Sequence, residues 1–172
     1  MKNILITFTF LILMINLSFA QTKEEKQKSK EETATQEYEA TKSLIESGEY
    51  KFIPDWAITL KGKRINLTAN YGYLIINKEI AEADLPYFGI AQTPSYSGDG
   101  GIKFNNEEVV YQIEYNDKKQ TINVRFKANH KSESYKLILS VLKSGNSHLN
   151  ISSSKRNSIS YSGKITKPIN SK

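Results

Sequence analysis

The apolar and polar positions along this chain change period near Gly48, from a helical spacing to a strand spacing. Before that point, one helical face with the spacing i, i+4, i+7 and i+11 contains Ala34, Tyr38, Thr41 and Ile45. Gly48 follows this run, and glycine commonly ends a helix because it adopts positive φ without a Cβ clash. The pattern therefore predicts one α-helix over residues 30–47.

Beyond Gly48 the apolar positions recur at every second residue, which is typical of strands with one buried face. The clearest alternating runs are Val109–Tyr115, Ile122–Ala128, Tyr135–Val141, Leu149–Ile151 and Ile159–Tyr161. Pro54 interrupts the first run after the helix, which indicates an edge position or a bulge. Residues 78–84 are polar enough to predict a connector between strands.

About eight short strands with turn-rich connections indicate an antiparallel meander. A sheet of that size curls or closes to hide its edges. The predicted fold class is therefore mainly β: an antiparallel meander closing into a barrel or a sandwich, with one N-terminal α-helix.

The first twenty residues have the pattern of a secretory signal peptide. Lys2 precedes an apolar run over residues 4–17, and Ser18-Phe19-Ala20 places small residues at the −3 and −1 positions of a cut after Ala20. Residues 21–32 are charged and are predicted to be a flexible tether or a frayed helix start. A single β domain over residues 33–166 and a disordered tail over residues 167–172 complete the prediction.

The chain contains no cysteine, so it has neither a disulfide framework nor the cysteine that a diacylated lipoprotein requires. The expected localisation is periplasmic or secreted, with no membrane span after signal cleavage. The formal net charge is +6, but the basic clusters at 61–64, 118–119 and 155–156 fall in predicted turns, which is typical of solvated turn residues. Nucleic acid is not an expected partner of an exported protein.

Residues 84–101 form the most unusual segment, with two prolines, several glycines and the aromatic residues Tyr87, Phe88 and Tyr96. The spacing of Gly98, Gly100 and Gly101 does not match a phosphate-binding loop. A calcium loop needs several oxygen ligands at alternating positions, and within Gly98-Asp99-Gly100-Gly101 only Asp99 offers one. We expect a structured loop or crossover that leads into strand 102–104, with its aromatic residues either packed as anchors or covering an opening.

The chain offers few candidates for catalysis. His130 and His148 lack the spacing of a metal site, and no cysteine is present. The match of Ser152-x-x-Lys155 to a serine acyl-enzyme motif lies in a predicted turn, without the companion motifs. We therefore expect no catalytic residues, no metal and no cofactor, and an enzyme is the less favoured interpretation.

Four segments together resemble a family of small exported Bacteroidetes proteins, the domain of unknown function 4251. They are "SGEYKF" (47–52), "LPYFG" (85–89), "YSGDGGIKF" (96–104) and "YSGKI" (161–165). The resemblance spans about residues 35–166 and implies export and a single domain. It implies no activity and no catalytic residues.

Two functions remain open. The first is a binding module that takes a small apolar or amphipathic ligand, with contact residues Trp56, Tyr87, Phe88, Tyr96 and Asp99. The alternative is a structural protein of the envelope that contacts a protein or a glycan. A hydrolase of an envelope polymer is a third hypothesis, less favoured because no nucleophile–base pair is visible.

Overall fold

The computed structural model describes residues 25–67, 72–90 and 100–168. The predicted signal peptide, Tyr96 and Asp99 lie outside these ranges. The chain divides into two compact units, residues 1–36 and residues 37–172.

Helix α1 covers residues 25–46 and begins earlier than the predicted residue 30. Residues 25–32, which the sequence assigned to a tether or a frayed helix start, are helical and exposed. Glutamate, lysine and glutamine have high intrinsic helix propensity, and Gln27 Nε2 donates to Glu31 Oε1 at 3.5 Å, one turn later. Gly48 adopts φ 67° just after the helix, which confirms the predicted stop.

Among the described residues of the second unit, ten strands follow the helix. They are β1 (Glu49–Thr59), β2 (Arg64–Asn66), β3 (Tyr73–Asn77), β4 (Ile80–Leu85), β5 (Ile102–Glu108), β6 (Gln112–Asn116), β7 (Thr121–His130), β8 (Glu133–Leu142), β9 (Asn146–Ser153) and β10 (Ile159–Thr166). All pair antiparallel in one sheet of order β5-β4-β3-β1-β10-β9-β8-β7-β6, with β2 paired to β1 beside this path.

The sheet curls into a half-barrel. Its two end strands, β5 and β6, are consecutive along the chain and are joined by residues 109–111 alone. Strand β5 also contacts β7, although six strands separate them along the path. The predicted fold class is confirmed: the fold is mainly β and antiparallel, with one N-terminal helix. The described strands form one curled sheet, so the sandwich alternative does not apply.

Pro54 marks a bulge, as its position in the sequence indicated. The register between β1 and β10 shifts between Pro54 and Trp56, and β1 is a central strand rather than an edge. Gly163 of β10 passes this bulge so closely that a Cβ atom on it would overlap the Ile53 carbonyl oxygen. Proline lacks the N–H that a regular ladder needs, and a bulge is one of the places where a sheet accommodates it.

The polar connector predicted over residues 78–84 is wrong, because β4 occupies most of it. Ala81, Ala83 and Leu85 are buried and alternate with outward carboxylates, so the segment has a strand period. Small alanines between acids gave too weak an apolar signal for a strand prediction. Strands β4 and β5 are antiparallel neighbours, so residues 86–101 connect a hairpin and not a crossover. Strand β5 begins at Ile102, as predicted.

The C-terminal part of α1 packs on the sheet within the second unit. Tyr38 and Ile45 are buried, as the helical spacing predicted. The Tyr38 hydroxyl donates to Asp117 Oδ1 at 2.8 Å, and Thr41 Oγ1 donates to the Lys143 carbonyl oxygen at 2.7 Å. The helix thereby contacts the turns at one end of the half-barrel. In the part of the chain that the model describes, no helix has the length and apolar character of a membrane span.

Candidate functional site

The concave side of the half-barrel is packed with side chains. Tyr50, Phe52 and Tyr161 are fully buried there. The rings of Phe104 on β5 and Tyr135 on β8 meet with their centroids 5.8 Å apart, although these strands are far apart along the sheet path. An interior ligand site needs free volume. Among the described residues, large side chains fill the inner face, so the candidate surfaces are the outer face and the rim, which is the end of the half-barrel where the β4–β5, β7–β8 and β9–β10 connections lie.

At the rim opposite α1, Arg156 links the β9–β10 turn to the loop before β5. Its Nε and Nη2 atoms donate to the two carboxylate oxygens of Glu133, at 2.9 and 3.0 Å. Its Nη1 atom donates to the carbonyl oxygens of Gly100 and Gly101, at 2.7 and 2.8 Å. Both side chains of the ion pair are only 12% exposed. Arg156 therefore clamps the glycine pair that leads into β5.

The charged groups of Arg156 and Glu133 have most of their hydrogen bonds satisfied within the protein. Burial raises the pKa of Glu133, but hydrogen bonds from Ser153 and Arg156 outweigh burial, so the net pKa lies below the usual glutamate value. Four of the five guanidinium N–H groups of Arg156 already have acceptors in the protein. Arg156 thus has little capacity left to bind an anionic ligand, and its geometry indicates a structural role.

Tyr87 anchors the start of the same loop. Its hydroxyl lies 3.0 Å from the carbonyl oxygens of both Ile90 and Asn157, and its ring lies under the Arg156 guanidinium at 5.4 Å. Tyr161 supports the loop from below, since its hydroxyl donates to the Pro86 carbonyl oxygen at 2.9 Å. The sequence left two roles open for Tyr87, a packed anchor or a cover over an opening. These contacts match the packed anchor.

Of the other predicted contact residues, Phe88 and Trp56 lie within the described ranges, and they lie on different parts of the fold. Phe88 follows Tyr87 on the loop between β4 and β5, here called the rim loop, and is 42% exposed, and the nearby Ile90 is 63% exposed. Trp56 lies on β1 with its indole under the Arg64 guanidinium, at 4.8 Å. Its neighbour Ala57 pairs with Tyr161 on the buried face, so Trp56 belongs to the outer face.

The described residues bring together no obvious catalytic group. His148 Nδ1 lies 3.4 Å from Ser162 Oγ, which is longer than the roughly 2.6–3.2 Å of a nucleophile–base pair. His130 Nδ1 pairs with Glu107 Oε1 at 2.9 Å. In the portion of the chain that the model covers, no group of three or more metal-ligating side chains is present.

A shallow cleft of about 210 Å³ beside β3, β4 and β5 contains two carboxylates, Glu82 and Asp84. Each is already engaged. The Tyr73 hydroxyl donates to Glu82 Oε1 at 2.5 Å, and Lys103 Nζ lies 3.4 Å from Asp84 Oδ2. The hydrogen bond to Glu82, with burial, raises the pKa of Tyr73 to about 12. The cleft therefore lacks the free acid and base that glycoside cleavage requires.

The outer face of strands β7–β10 is a feature that sequence reasoning missed. Its outward residues are the alternate positions of 121–129, 134–142, 146–152 and 160–166, and none of them is Asp or Glu. Cross-strand pairing places Asn123, Ser140, His148 and Ser162 in one row across the four strands. In the sequence, the polar residues at the alternate positions of these strands already lack Asp and Glu. Only the register of the strands shows that these residues lie side by side in rows.

Comparisons with known proteins identify one family. A family model described as "Domain of unknown function (DUF4251)" matches residues 32–165. The crystal structure of a DUF4251 family protein from Bacteroides eggerthii DSM 20697 is similar, with a TM-score of 0.59 and 15% sequence identity. The match covers 76% of this chain and 87% of that one, and at this identity it shows the fold alone. No curated protein matches the chain.

Proposed function

Since this chain belongs to the DUF4251 family, whose description names no activity, we propose that it is an exported, non-enzymatic module that binds a small apolar or amphipathic ligand at its rim. The observation that carries this proposal is the pair of exposed apolar side chains, Phe88 and Ile90, beside the anchored Tyr87. Large apolar groups held together in water are typical of interaction sites. An anchored backbone also lowers the ordering cost of binding.

The rim is a better location for the ligand than the interior, because side chains fill the described inner face. Lys155 lies on the β9–β10 turn next to Arg156, with Nζ 2.5 Å from Ser132 Oγ. An ammonium group has three donors, so two remain for an anionic group. An apolar body with an anionic head therefore fits the rim loop and this turn.

Export is part of the proposal. It is supported by the signal-like residues 1–20. The non-enzymatic assignment is supported by the paired carboxylates of the cleft and the long His148–Ser162 separation.

Binding of 1-anilinonaphthalene-8-sulfonate, which joins apolar rings to an anionic group, tests the proposal. The double variant Phe88→Ser/Ile90→Ser is expected to lose most of the fluorescence enhancement of this dye. The matched control is Leu60→Ser, which removes an exposed apolar side chain from the β1–β2 turn and is expected to leave the signal unchanged. Equal fluorescence from the wild type and the double variant, with both folded by circular dichroism, would contradict the rim site.

A contact protein of the envelope is the second candidate function. It is favoured by the outer face of β7–β10, whose outward positions contain no acid. This face is formed by other residues than the rim loop, so the variants of the dye experiment leave it unchanged. A hydrolase is the least supported, for the reasons given for the cleft.

A further inference from the structure

The outer face of β7–β10 has an uncompensated positive charge. Lys127 on β7 lies directly opposite Lys136 on β8. Both side chains are exposed, and neither forms an ion pair within the described residues. Like charges directly opposite each other destabilise a sheet. An anion bound between the two ammonium groups would remove this repulsion.

The neighbouring positions do not supply that anion. Arg125, two residues before Lys127 on the same face, pairs with Glu114 of the end strand β6. Lys164 on β10 adds a further cation, and the outward positions of these four strands contain no acid. The outer face is therefore complementary to a negatively charged surface or chain.

Short polar side chains extend from the lysine pair across the sheet. Ser140 Oγ donates to Asn123 Oδ1 at 2.7 Å, and Asn150 Nδ2 donates to Ser160 Oγ at 2.9 Å on a parallel row. Adjacent strands are about 4.8 Å apart, so the row of Asn123, Ser140, His148 and Ser162 offers polar groups at a regular spacing. The Asn150–Ser160 row offers them on β9 and β10 and continues with Ile138 and Arg125 on β8 and β7. Hydroxyl and amide groups both donate and accept, which matches a ligand rich in hydroxyl groups.

We propose that the outer face of β7–β10 binds an acidic polysaccharide, with Lys127 and Lys136 holding its anionic groups and the Ser/Asn rows contacting its hydroxyls. Single-stranded nucleic acid is less suitable, since these outward positions contain no Phe, Tyr or Trp, and the imidazole of His148 is the one ring on which a base could stack. An anionic membrane is less suitable because Ile138 and Leu142, both on β8, are the only apolar side chains among these outward positions.

The test measures binding of the purified protein to immobilised polygalacturonate, with uncharged dextran as the polymer control. The variant Lys127→Gln/Lys136→Gln is expected to weaken binding about tenfold. Lys118→Gln/Lys119→Gln removes the same charge from the β6–β7 turn and is expected to change binding less than about twofold. Raising the salt from about 0.05 M to 0.5 M is expected to weaken wild-type binding, because exposed charges are screened.

The melting temperature of the lysine variant shows whether a loss of binding could come from unfolding. Since Lys127→Gln/Lys136→Gln relieves a like-charge pair, its melting temperature is expected to equal or exceed that of the wild type. Ser140→Ala/Asn150→Ala is expected to weaken polygalacturonate binding while leaving the salt dependence unchanged.

Four results would each overturn the proposal: equal losses from the two lysine pairs, equal binding of uncharged dextran, no binding of polygalacturonate, or tighter binding of single-stranded DNA or anionic vesicles through the same lysines. The rim variant Phe88→Ser/Ile90→Ser is expected to bind polygalacturonate normally. The two proposed sites can therefore fail independently.

Discussion

Replacing Arg156 with alanine tests whether the rim clamp stabilises the fold. The substitution leaves the Glu133 carboxylate without its counter-ion, in a position where both side chains are only 12% exposed. Breaking a buried ion pair by removing one partner costs about 3–5 kcal/mol. We place Arg156→Ala near the lower end, at about 3 kcal/mol, because Ser153 still donates to Glu133 and some solvent reaches the pair. The lost hydrogen bonds to two carbonyl oxygens add about 1 kcal/mol.

Equilibrium unfolding in urea, followed by the fluorescence of the single tryptophan, measures this cost. A loss of about 3–4 kcal/mol lowers the melting temperature by roughly 10 °C for a domain of this size. The matched control is Arg125→Ala, because the Arg125–Glu114 pair is much more exposed. Such pairs contribute about 0–1 kcal/mol. A cost for Arg156→Ala within about 0.5 kcal/mol of that control would refute the clamp.

The pH dependence of the clamp follows from the lowered pKa of Glu133. A carboxyl group with a lower pKa in the folded state binds fewer protons than the unfolded chain does. Its contribution is therefore complete above the ordinary glutamate value of about 4.3 and is lost as the pH falls through the lowered pKa. Acid unfolding of the wild type and Glu133→Gln should converge at low pH, and parallel curves at all pH values would contradict this assignment.

Two further predictions compare matched sites. Tyr161→Phe is expected to cost about 1–2 kcal/mol in urea unfolding because it removes the donor to the partly buried Pro86 carbonyl oxygen. Tyr50→Phe is expected to be neutral or stabilising, because the Tyr50 hydroxyl is buried and has no hydrogen-bond partner among the described residues. A larger cost for Tyr50→Phe would reverse this reasoning. Gly163→Ala is expected to lower the melting temperature by several degrees, since its Cβ would overlap the Ile53 carbonyl oxygen. Gly100→Ala is expected to leave the melting temperature unchanged, because no atom of the described residues lies within 4 Å of the added Cβ. Equal melting temperatures for these two variants would exclude the close approach at the bulge.

Local patterns in the sequence were sufficient for the fold class and for several boundaries. The i, i+4 spacing that includes Tyr38 and Ile45 identified the buried side of α1, and Pro54 indicated the bulge in β1. Gly48 indicated the helix stop. These features depend on the conformational preferences of a few neighbouring residues, so they can be predicted from composition and hydrophobic period. Two segments are exceptions. In β4, Ala81 and Ala83 are buried but alternate with acids, so their apolar signal is weak. The alternating run Val109–Tyr115 includes the connection between β5 and β6, which occupies residues 109–111.

The candidate site could be predicted only in part. The unusual composition of residues 84–101 drew attention to Tyr87 and Phe88, which lie on the rim loop. Trp56 was grouped with them because it is aromatic, but the alternation of β1 places it on the outer face. Tyr96 and Asp99 lie outside the described residues, so their assignment stays a prediction.

The sequence by itself determined one N-terminal helix, alternating strands without disulfides, and a loop constrained by proline and glycine, because each follows from local conformational preference. Only the tertiary structure decided that β5 and β6 end the same sheet and that Arg156 reaches Gly100 and Gly101, more than fifty residues earlier. It also decided that Lys127 lies opposite Lys136. The physical reason is that the strand period is local, whereas strand order and register depend on which distant segments bury their apolar faces together.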